Sequence, residues 1–316
     1  MGQLICAARV DLRRRAVEAS VNSRHEPGAD PESSRSKGHN AGMRPQVVAH
    51  RGASFDNAEH TLGAYLAAIQ SGAEALECDV RLTADGHLVC VHDRDLRRTA
   101  SSRALVSTMD LADLDQLEFA SWKNPWGVLD DEAADRDPDL DKVLTLRRLM
   151  QTVAEADRPI ELAIETKHPT RYGGLVERRL VEALAEFGWT GPDSPVRVMS
   201  FSYVALQRMQ RLAPGLRLVM LIEKARHWPV LKPVLEDGWI LGPGIQQLTK
   251  HPRFAEKLAH QGRDLHVWTV NTEEQLDLCL SLGATAVITD RPRDLLGWLD
   301  RMPELEAGPT PLAGSG

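Results

Sequence analysis

Between Gln46 and Trp298 the chain alternates short apolar segments with longer amphipathic ones, and no other feature limits its fold as strongly. A short apolar run is typical of a strand buried on both faces, whereas apolar residues at i, i+3, i+4 and i+7 are typical of a helix. The helical spacing is shown by Leu62, Tyr65, Leu66 and Ile69. Strands that alternate with helices form a parallel sheet, so the sequence predicts an α/β fold.

The number of predicted strands indicates which α/β fold this is. We predict strands at Val47–His50, Ala75–Val80, Ile160–Thr166, Val196–Phe201, Leu216–Ile222, Trp239–Gly242, Leu265–Val270 and Thr285–Thr289. Eight βα units within about 250 residues favour a (β/α)8 TIM-type barrel. A doubly wound open sheet is the alternative, but no Gly-rich phosphate loop follows the first strand.

The barrel is predicted to occupy residues 44–302, with a small insertion after the second strand at about 94–140. This interval is too long for a simple βα connection, and long insertions in barrels usually shape the catalytic mouth. Residues 1–43 are predicted to be a disordered tail, with Met43 as the true start of the protein, and residues 303–316 a second disordered tail.

Composition narrows the classes of protein to which the chain belongs. The net charge of −7 leaves no domain-wide basic footprint, so no nucleic-acid partner is expected. No apolar run approaches the ~20 residues that span a bilayer, so no stable membrane insertion is expected. The four cysteines do not form a disulfide framework, which favours reduced thiols and a cytoplasmic location. The oligomeric state is left open.

The segment Leu76–Asp93 has the pattern of a β-hairpin, with two apolar runs around a Thr-Ala-Asp-Gly turn. If the turn is centred on its Asp-Gly pair, position 79 faces position 92, and a shift of one residue would place position 77 there. Side chains alternate along a strand, so Glu77 and Asp79 share a face, and either register sets His92 against carboxylates. The same alternation places Cys78 and Cys90 on opposite faces.

Carboxylates that interrupt so apolar a run are costly to bury, and a cation would remove that cost. Chemistry in barrels lies at the C-terminal ends of the strands, where this chain also carries His50, Arg51, Glu165 and Lys167. Three carboxylates without a thiolate favour one divalent cation, Ca²⁺ or Mg²⁺. Two histidines suit general acid and base roles, and fixed positive charge suits a phosphate. Together these features predict metal-assisted phosphoryl transfer.

At this point a family resemblance can be stated. The chain resembles the glycerophosphodiester phosphodiesterases, barrel enzymes similar in site layout to phosphatidylinositol-specific phospholipase C. The matching segments are Val48–Ala53, Glu59–Leu62, Glu77–Val80, Asp85–Gly86, Val91–Asp93, Glu165–Lys167, Met199–Phe201, Val267–Asn271 and Ile288–Pro292. They occur in the family's order and span nearly all of the predicted barrel.

The resemblance implies a role for each candidate site residue. The divalent cation would be bound by Glu77, Asp79 and Glu165, the acid/base pair would be His50 and His92, and the phosphate and substrate would be held by Arg51, Lys167, Glu59 and Trp268. The implied reaction converts small glycerophosphodiesters, such as glycerophosphocholine, glycerophosphoethanolamine or glycerophosphoglycerol, to sn-glycerol 3-phosphate and an alcohol. The alternative is a lysophospholipase D that acts on lysolipids at membranes.

Several assignments stay open at this stage. Which histidine is the acid and which the base is not decided. Glu59 is either a site residue or part of a capping box ahead of the helix near Thr61. Trp268 is either a substrate contact or barrel packing, and Asn271 is either a helix cap or a site residue. His60 stands where the family often has asparagine, and either replaces it or faces solvent.

Overall fold

The computed structural model describes residues 44–123 and 138–302. Its strands are β1 (Gln46–His50), β2 (Ala75–Leu82), β3 (Leu88–Cys90), β4 (Glu161–Thr166), β5 (Val196–Ser200), β6 (Arg217–Ile222), β7 (Ile240–Pro243), β8 (His266–Val267) and β9 (Ala286–Thr289). Eight of them are parallel neighbours in the order β7-β6-β5-β4-β2-β1-β9-β8, and β3 pairs antiparallel with β2. Parallel bridges from Leu241 to Leu265 and from Gly244 to Trp268 link the two ends of that order. The predicted (β/α)8 barrel is therefore confirmed.

The helices surround the strands and connect consecutive ones. They are α1 (Leu62–Gln70), α2 (Leu111–Leu114), α3 (Leu146–Ala154), α4 (Leu175–Glu186), α5 (Tyr203–Leu212), α6 (Trp228–Leu231), α7 (Ile245–Lys250), α8 (Pro252–Ala259), α9 (Glu273–Ser281) and α10 (Pro292–Arg301). Four begin after a hydroxyl side chain that accepts a hydrogen bond from the first turn, at Thr61, Thr145, Ser202 and Thr272. Such caps satisfy backbone N–H groups that have no partner within the helix.

Inside the barrel the side chains form layers because every second residue of a strand points inward. The middle layer is apolar and fully buried, and includes Val48, Ala163 and Val219. Above it, towards the C-terminal ends, the inward positions become Glu77 and Glu165, which are also buried. The alternation of side chains along the strands therefore places two carboxylates directly above the apolar layer, at the C-terminal end of the barrel.

The eighth predicted strand is much shorter than expected. The prediction was Leu265–Val270, whereas β8 contains only His266 and Val267. Beyond it the chain turns towards the β7 end: the backbone N–H of Trp268 donates to the Pro243 carbonyl, and the N–H of Ile245 donates to the Trp268 carbonyl. The position of Trp268 is thus fixed by hydrogen bonds to the end of β7. A hydrophobic pattern along the sequence does not contain this contact between separate strands.

The hairpin forms, but both predicted registers are wrong. Val80 pairs with Cys90 and Leu82 with Leu88, and the backbone N–H of Val91 donates to the Asp79 carbonyl at 3.0 Å. The backbone N–H of Thr83 donates to the carbonyl of residue 87, so three residues form the loop. Three-residue loops commonly end in a left-handed glycine, here Gly86 with φ of +90°. His92 consequently lies beyond the end of β3.

The same register places Cys78 and Cys90 on one face, where their thiols are within hydrogen-bonding distance. The prediction that they point to opposite faces is therefore wrong. Both belong to the buried core between β2 and the surrounding helices. Together with Cys279 they are buried free thiols.

The insertion after the second strand contains α2 and has a small core of its own. Leu96, Val106, Leu114 and Phe119 are buried there against the hairpin. Residues 124–137 of the insertion and the two predicted disordered tails lie outside the described residues. Among the helices that are described, none has the length and apolar character needed to cross a membrane.

Candidate active site

A pocket opens at the C-terminal end of the barrel strands. Its walls come from His50, Arg51, Glu77, His92, Glu165, Lys167, Met199, Phe201, Leu221, Trp268, Thr269 and Ile288. Seven of the nine residues predicted for the site are among them. The other two support those seven: Asp79 is 1% exposed beneath the pocket, and Glu59 is bonded to the side chain of Arg51.

Three carboxylates converge at the base of this pocket. Glu77, Asp79 and Glu165 each present an oxygen, and these oxygens all lie within 4.8 Å of one another. Burial and the negative charge of Asp79 raise the pKa of Glu165 to about 8 and raise the pKa of Glu77 well above its ordinary value. Burial also opposes ionisation of Asp79, but the charges of Lys167 and Arg51 outweigh it and lower the pKa of that carboxyl well below its usual range.

This donor set fits a hard divalent cation. Oxygen ligands from carboxylates are what Ca²⁺ and Mg²⁺ bind in proteins. Burial and the mutual repulsion of these carboxylates raise the pKa values of Glu77 and Glu165 in spite of the two cationic neighbours. Additional positive charge between them would relieve that repulsion.

Arg51 enters the site through an unusual turn of the backbone. It has a φ of +58°, and the following Gly52 has a φ of +86°. These two left-handed residues turn the chain back at the end of β1, so that the Arg51 N–H donates to Glu77 Oε2 at 3.1 Å. The Arg51 guanidinium reaches Asp79 Oδ2 at 3.1 Å and Glu59 Oε1 at 3.0 Å. The residue therefore contacts two of the three carboxylates.

Lys167 follows β4 and lies on the same face as Glu165. Its Nζ is 2.9 Å from Asp79 Oδ1 and 2.8 Å from Glu165 Oε1. Burial lowers the pKa of the ammonium, but the charges of Asp79 and Glu165 outweigh this and raise it. Lys167 is thus a buried cation that lies among the carboxylates, and not a surface lysine.

His50 is held by a carboxylate that the sequence did not indicate as a site residue. Its Nδ1 is 2.6 Å from Oδ1 of Asp290, which follows β9. Asn271 Nδ2 donates to Asp290 Oδ2 at 2.6 Å, and Ser54 Oγ donates to Oδ1 at 3.0 Å. Burial opposes ionisation of Asp290, but His50 and these donors lower its pKa to about 2. Asn271 therefore serves the site, while Thr272 caps α9.

His92 has a carboxylate partner of its own. Its Nδ1 is 2.7 Å from Asp93 Oδ1, and Asp93 Oδ2 accepts a hydrogen bond from Arg98 Nε at 2.8 Å. Burial lowers the pKa of His92 to about 4; the charges of Arg51 and Lys167 act in the same direction, against that of Asp79. His92 is therefore neutral at physiological pH, with its Nε2 left to accept a proton.

Arg98, from the insertion, connects the two sides of the site. Besides Asp93 it binds both carboxylate oxygens of Glu59, at 2.5 and 2.7 Å, and Glu59 in turn binds Arg51. Although burial raises the pKa of Glu59, the hydrogen bonds from Arg98 and the charge of Arg51 lower it to about 2. The alternative that Glu59 belongs to a capping box is wrong, because Thr61 caps α1.

His60 is buried and contacts one of the three carboxylates, that of Asp79. It is 5% exposed, with Nε2 at 2.8 Å from Asp79 Oδ2 and Nδ1 at 2.8 Å from the Tyr65 hydroxyl. Tyr65 also donates to the Glu77 carbonyl at 3.0 Å. Residue 60 has a φ of +62°, a conformation in which Asn and His are both enriched. His60 therefore replaces the asparagine of the family pattern and does not face solvent.

Trp268 forms one wall of the pocket and also packs within the barrel. Its Nε1 donates to the Gly242 carbonyl at 2.7 Å, and its ring lies against Gly244, where an added Cβ would be 3.4 Å away. Phe201 meets the ring edge-on, with 5.4 Å between ring centroids. Trp268 therefore packs within the barrel and lines the pocket at the same time, so the two alternatives for this residue do not exclude each other.

The fold and the site together define an enzyme class: a barrel hydrolase whose polar mouth accepts a phosphodiester. The chain belongs to the glycerophosphoryl diester phosphodiesterase family, whose model matches residues 50–294. Every residue that was predicted for the site lies within this match.

Individual relatives agree with this assignment. The chain is 42% identical over 260 residues to a Mycobacterium tuberculosis protein named "Probable glycerophosphodiester phosphodiesterase 1", with 81% of this chain and 93% of the relative covered. It is 31% identical over 268 residues to the glycerophosphodiester phosphodiesterase of Bacillus subtilis, with 83% and 89% covered. A phosphodiesterase of Oleispira antarctica, solved in complex with the product sn-glycerol-3-phosphate, superposes with a TM-score of 0.68 at 26% identity and covers 81% and 97% of the two chains.

Proposed function

We propose that this enzyme hydrolyses small glycerophosphodiesters to sn-glycerol 3-phosphate and an alcohol, with one divalent cation and two histidines. The observation that carries the proposal is that His50 and His92 line the same pocket as Glu77 and Glu165, each histidine held at Nδ1 by a carboxylate. The product found with the Oleispira antarctica relative supports glycerol 3-phosphate as the product here.

In this proposal Glu77, Asp79 and Glu165 hold Ca²⁺ or Mg²⁺, and Arg51 and Lys167 face the phosphate oxygens. A bound cation would supply positive charge that stabilises the developing charge on the phosphate. Glu59 fixes the guanidinium of Arg51, since it pairs with Arg51 on one side and with Arg98 on the other.

The surroundings of the two histidines favour different roles. His92, with a pKa of about 4, is neutral and accepts the proton of the attacking hydroxyl, either water or a glycerol hydroxyl, at Nε2. In this proposal His50, bonded at Nδ1 to Asp290, donates a proton from Nε2 to the departing alcohol oxygen. One P–O bond forms at the attacking oxygen as the other breaks at the leaving oxygen. Attack by water gives glycerol 3-phosphate directly, whereas attack by a glycerol hydroxyl gives a cyclic phosphate that water then opens in a second step.

A lysolipid is the second candidate substrate. Phe201 and Val204, which are 40% and 49% exposed, line a groove that shares Phe201 with the pocket. Exposed apolar side chains beside a polar site suit an acyl chain better than a choline head group. A lysophospholipase D activity would therefore use the same catalytic residues with a longer substrate.

The test is release of glycerol 3-phosphate from glycerophosphocholine with Ca²⁺, with Mg²⁺ and with EDTA. His50→Ala and His92→Ala are compared with His227→Ala, which removes an exposed histidine of the loop after β6. We expect metal-dependent release that both site variants lose and the control keeps. Release that continues in EDTA would exclude the metal, and choline release from lysophosphatidylcholine alone would favour the second substrate.

A further inference from the structure

A second cleft, lined by basic residues, adjoins the catalytic pocket. Its walls include Arg81, Arg94, Lys167 and Arg171, together with the hydroxyl residues Ser107 and Thr170. Lys167 lines both the cleft and the catalytic pocket. No carboxylate is found among the cleft-lining residues in the described part of the chain.

The three arginines of this cleft differ from those of the site in having no anionic partner. Arg51 and Arg98 are each within 4 Å of a carboxylate, whereas Arg81, Arg94 and Arg171 have no such neighbour among residues 44–123 and 138–302. Arg81 instead donates from Nε and from a terminal nitrogen to the His92 carbonyl, at 3.0 and 2.6 Å.

The fold fixes part of the cleft wall, whereas Arg94 and Arg171, which also line the cleft, are exposed side chains. Arg81 follows Glu77 and Asp79 on the same face of β2, so the strand directs it to the barrel mouth. Ser107 belongs to the insertion, and its carbonyl accepts a hydrogen bond from the Tyr172 hydroxyl at 2.5 Å. This bond joins the insertion to the loop after β4, which carries Thr170 and Arg171.

We propose that this basic cleft is a subsite for a second phosphate group carried by the substrate. Guanidinium groups match phosphate in geometry as well as in charge, and hydroxyl groups add further donors. Because the cleft shares Lys167 with the catalytic pocket, one molecule can occupy both. The preferred substrates are then glycerophosphodiesters that carry an additional phosphate, and this inference rests on the proposed function.

The test uses two substrates that differ by one phosphate, glycerophosphoinositol and glycerophosphoinositol 4-phosphate. We expect the wild type to favour the phosphorylated substrate in kcat/KM, and the double variant Arg94→Gln/Arg171→Gln to reduce that preference about tenfold. Arg81 is not substituted, because it holds the backbone of His92. The matched control is Arg178→Gln/Arg211→Gln, which removes the same charge from exposed arginines on α4 and α5.

Each outcome has a defined meaning. A preference that is lost in the first double variant and kept in the control supports the subsite. Equal kcat/KM for both substrates in the wild type, or equal losses in both double variants, would overturn it. If the wild type hydrolyses neither substrate, nor glycerophosphocholine, the proposed function itself fails.

Inorganic phosphate distinguishes a substrate group from a free anion. With glycerophosphocholine as substrate, we expect added phosphate to inhibit the wild type and the Arg94→Gln/Arg171→Gln variant to the same extent, through the catalytic pocket. An effect of phosphate that is several-fold greater on the wild type would mean that the cleft binds the free ion, and would overturn the assignment to the substrate.

Discussion

Asp290 Oδ1 lies 2.6 Å from His50 Nδ1, and this carboxylate from the last barrel strand fixes the imidazole of the first. The contact selects the tautomer in which Nδ1 carries the proton, and it leaves Nε2 facing the pocket. It also joins two neighbouring strands, β1 and β9, across the catalytic mouth.

We therefore expect Asp290→Asn to lower kcat by about 100-fold, because the amide replaces the charged hydrogen-bond acceptor that orients the imidazole. KM should change little, since Asp290 is not among the pocket-lining residues. Ser54→Ala removes one hydrogen bond to the same carboxylate and should have a smaller effect. Steady-state kinetics with glycerophosphocholine measures both, and an unchanged kcat in Asp290→Asn would contradict the role.

The same carboxylate makes stability depend on pH. The pKa of Asp290 is lowered from 3.8 to about 2, so it binds fewer protons in the folded state than in the unfolded state. Its contribution, of about 2 kcal/mol, is present above pH 4 and is lost as the pH falls through 2. Urea unfolding should show that the wild type exceeds Asp290→Asn in stability at pH 5, and that this difference shrinks as the pH falls towards 2.

Substitution of one carboxylate at the base of the pocket should remove cation binding without loss of folding stability. Glu165→Gln should abolish the rise in Tm that Ca²⁺ or Mg²⁺ gives the wild type, which is worth about 2.7 kcal/mol at 100 times the Kd. In EDTA the variant should be at least as stable as the wild type, because it lacks one of three mutually repelling buried groups. Glu182→Gln on α4 is the exposed control, and a metal-induced shift retained in Glu165→Gln would count against the proposed ligand.

His60 is expected to act through Asp79. His60→Ala removes the donor to Asp79 Oδ2, so cation affinity measured by calorimetry should fall 10- to 100-fold, as for other groups that orient metal ligands. His60→Asn should restore part of the affinity, since its amide can donate and its backbone tolerates the left-handed conformation. Equal affinity in all three proteins would show that His60 is structural only.

Gly52 is required by the turn that presents Arg51. An added Cβ would be 2.6 Å from the backbone carbonyl carbon of Ala64, and the φ of +86° disfavours a side chain as well. Gly52→Ala should destabilise the protein by about 3 kcal/mol or more, through both strain and collision. Gly173→Ala is the matched control, with a φ of +54° and no atom within 4 Å of the added Cβ. Urea denaturation should show a much smaller loss for that variant.

The predicted site residues that the structure brings together share one property: their chemistry and their strand position are both local. Glu77 and Asp79 alternate within an apolar run, and Glu165 and Lys167 have the same spacing at the end of the next barrel strand. The alternation of side chains along a strand predicts which face each residue occupies. Active sites of (β/α)8 barrels lie at the C-terminal ends of the strands, which predicts where the polar groups meet. Seven of the nine candidates that these signals and the family motifs indicated line one pocket.

The residues that the sequence missed depend on partners far along the chain. Asp290 is 240 positions from His50, and although its segment matches the family, that segment does not show which side chain Asp290 contacts. The hairpin register failed because a three-residue loop and a two-residue turn share the same Asp-Gly signal.

The sequence by itself determined the α/β barrel and the set of candidate site residues, because hydrophobic period and residue chemistry act locally. Only the tertiary structure decided which groups touch. The burial that raises the pKa of Glu165 to about 8 and lowers that of His92 to about 4 arises when separate strands bring like and opposite charges together away from water. These charges come close to one another only in the closed barrel. Their different surroundings there give the two histidines, and likewise the three carboxylates, properties that the sequence does not distinguish.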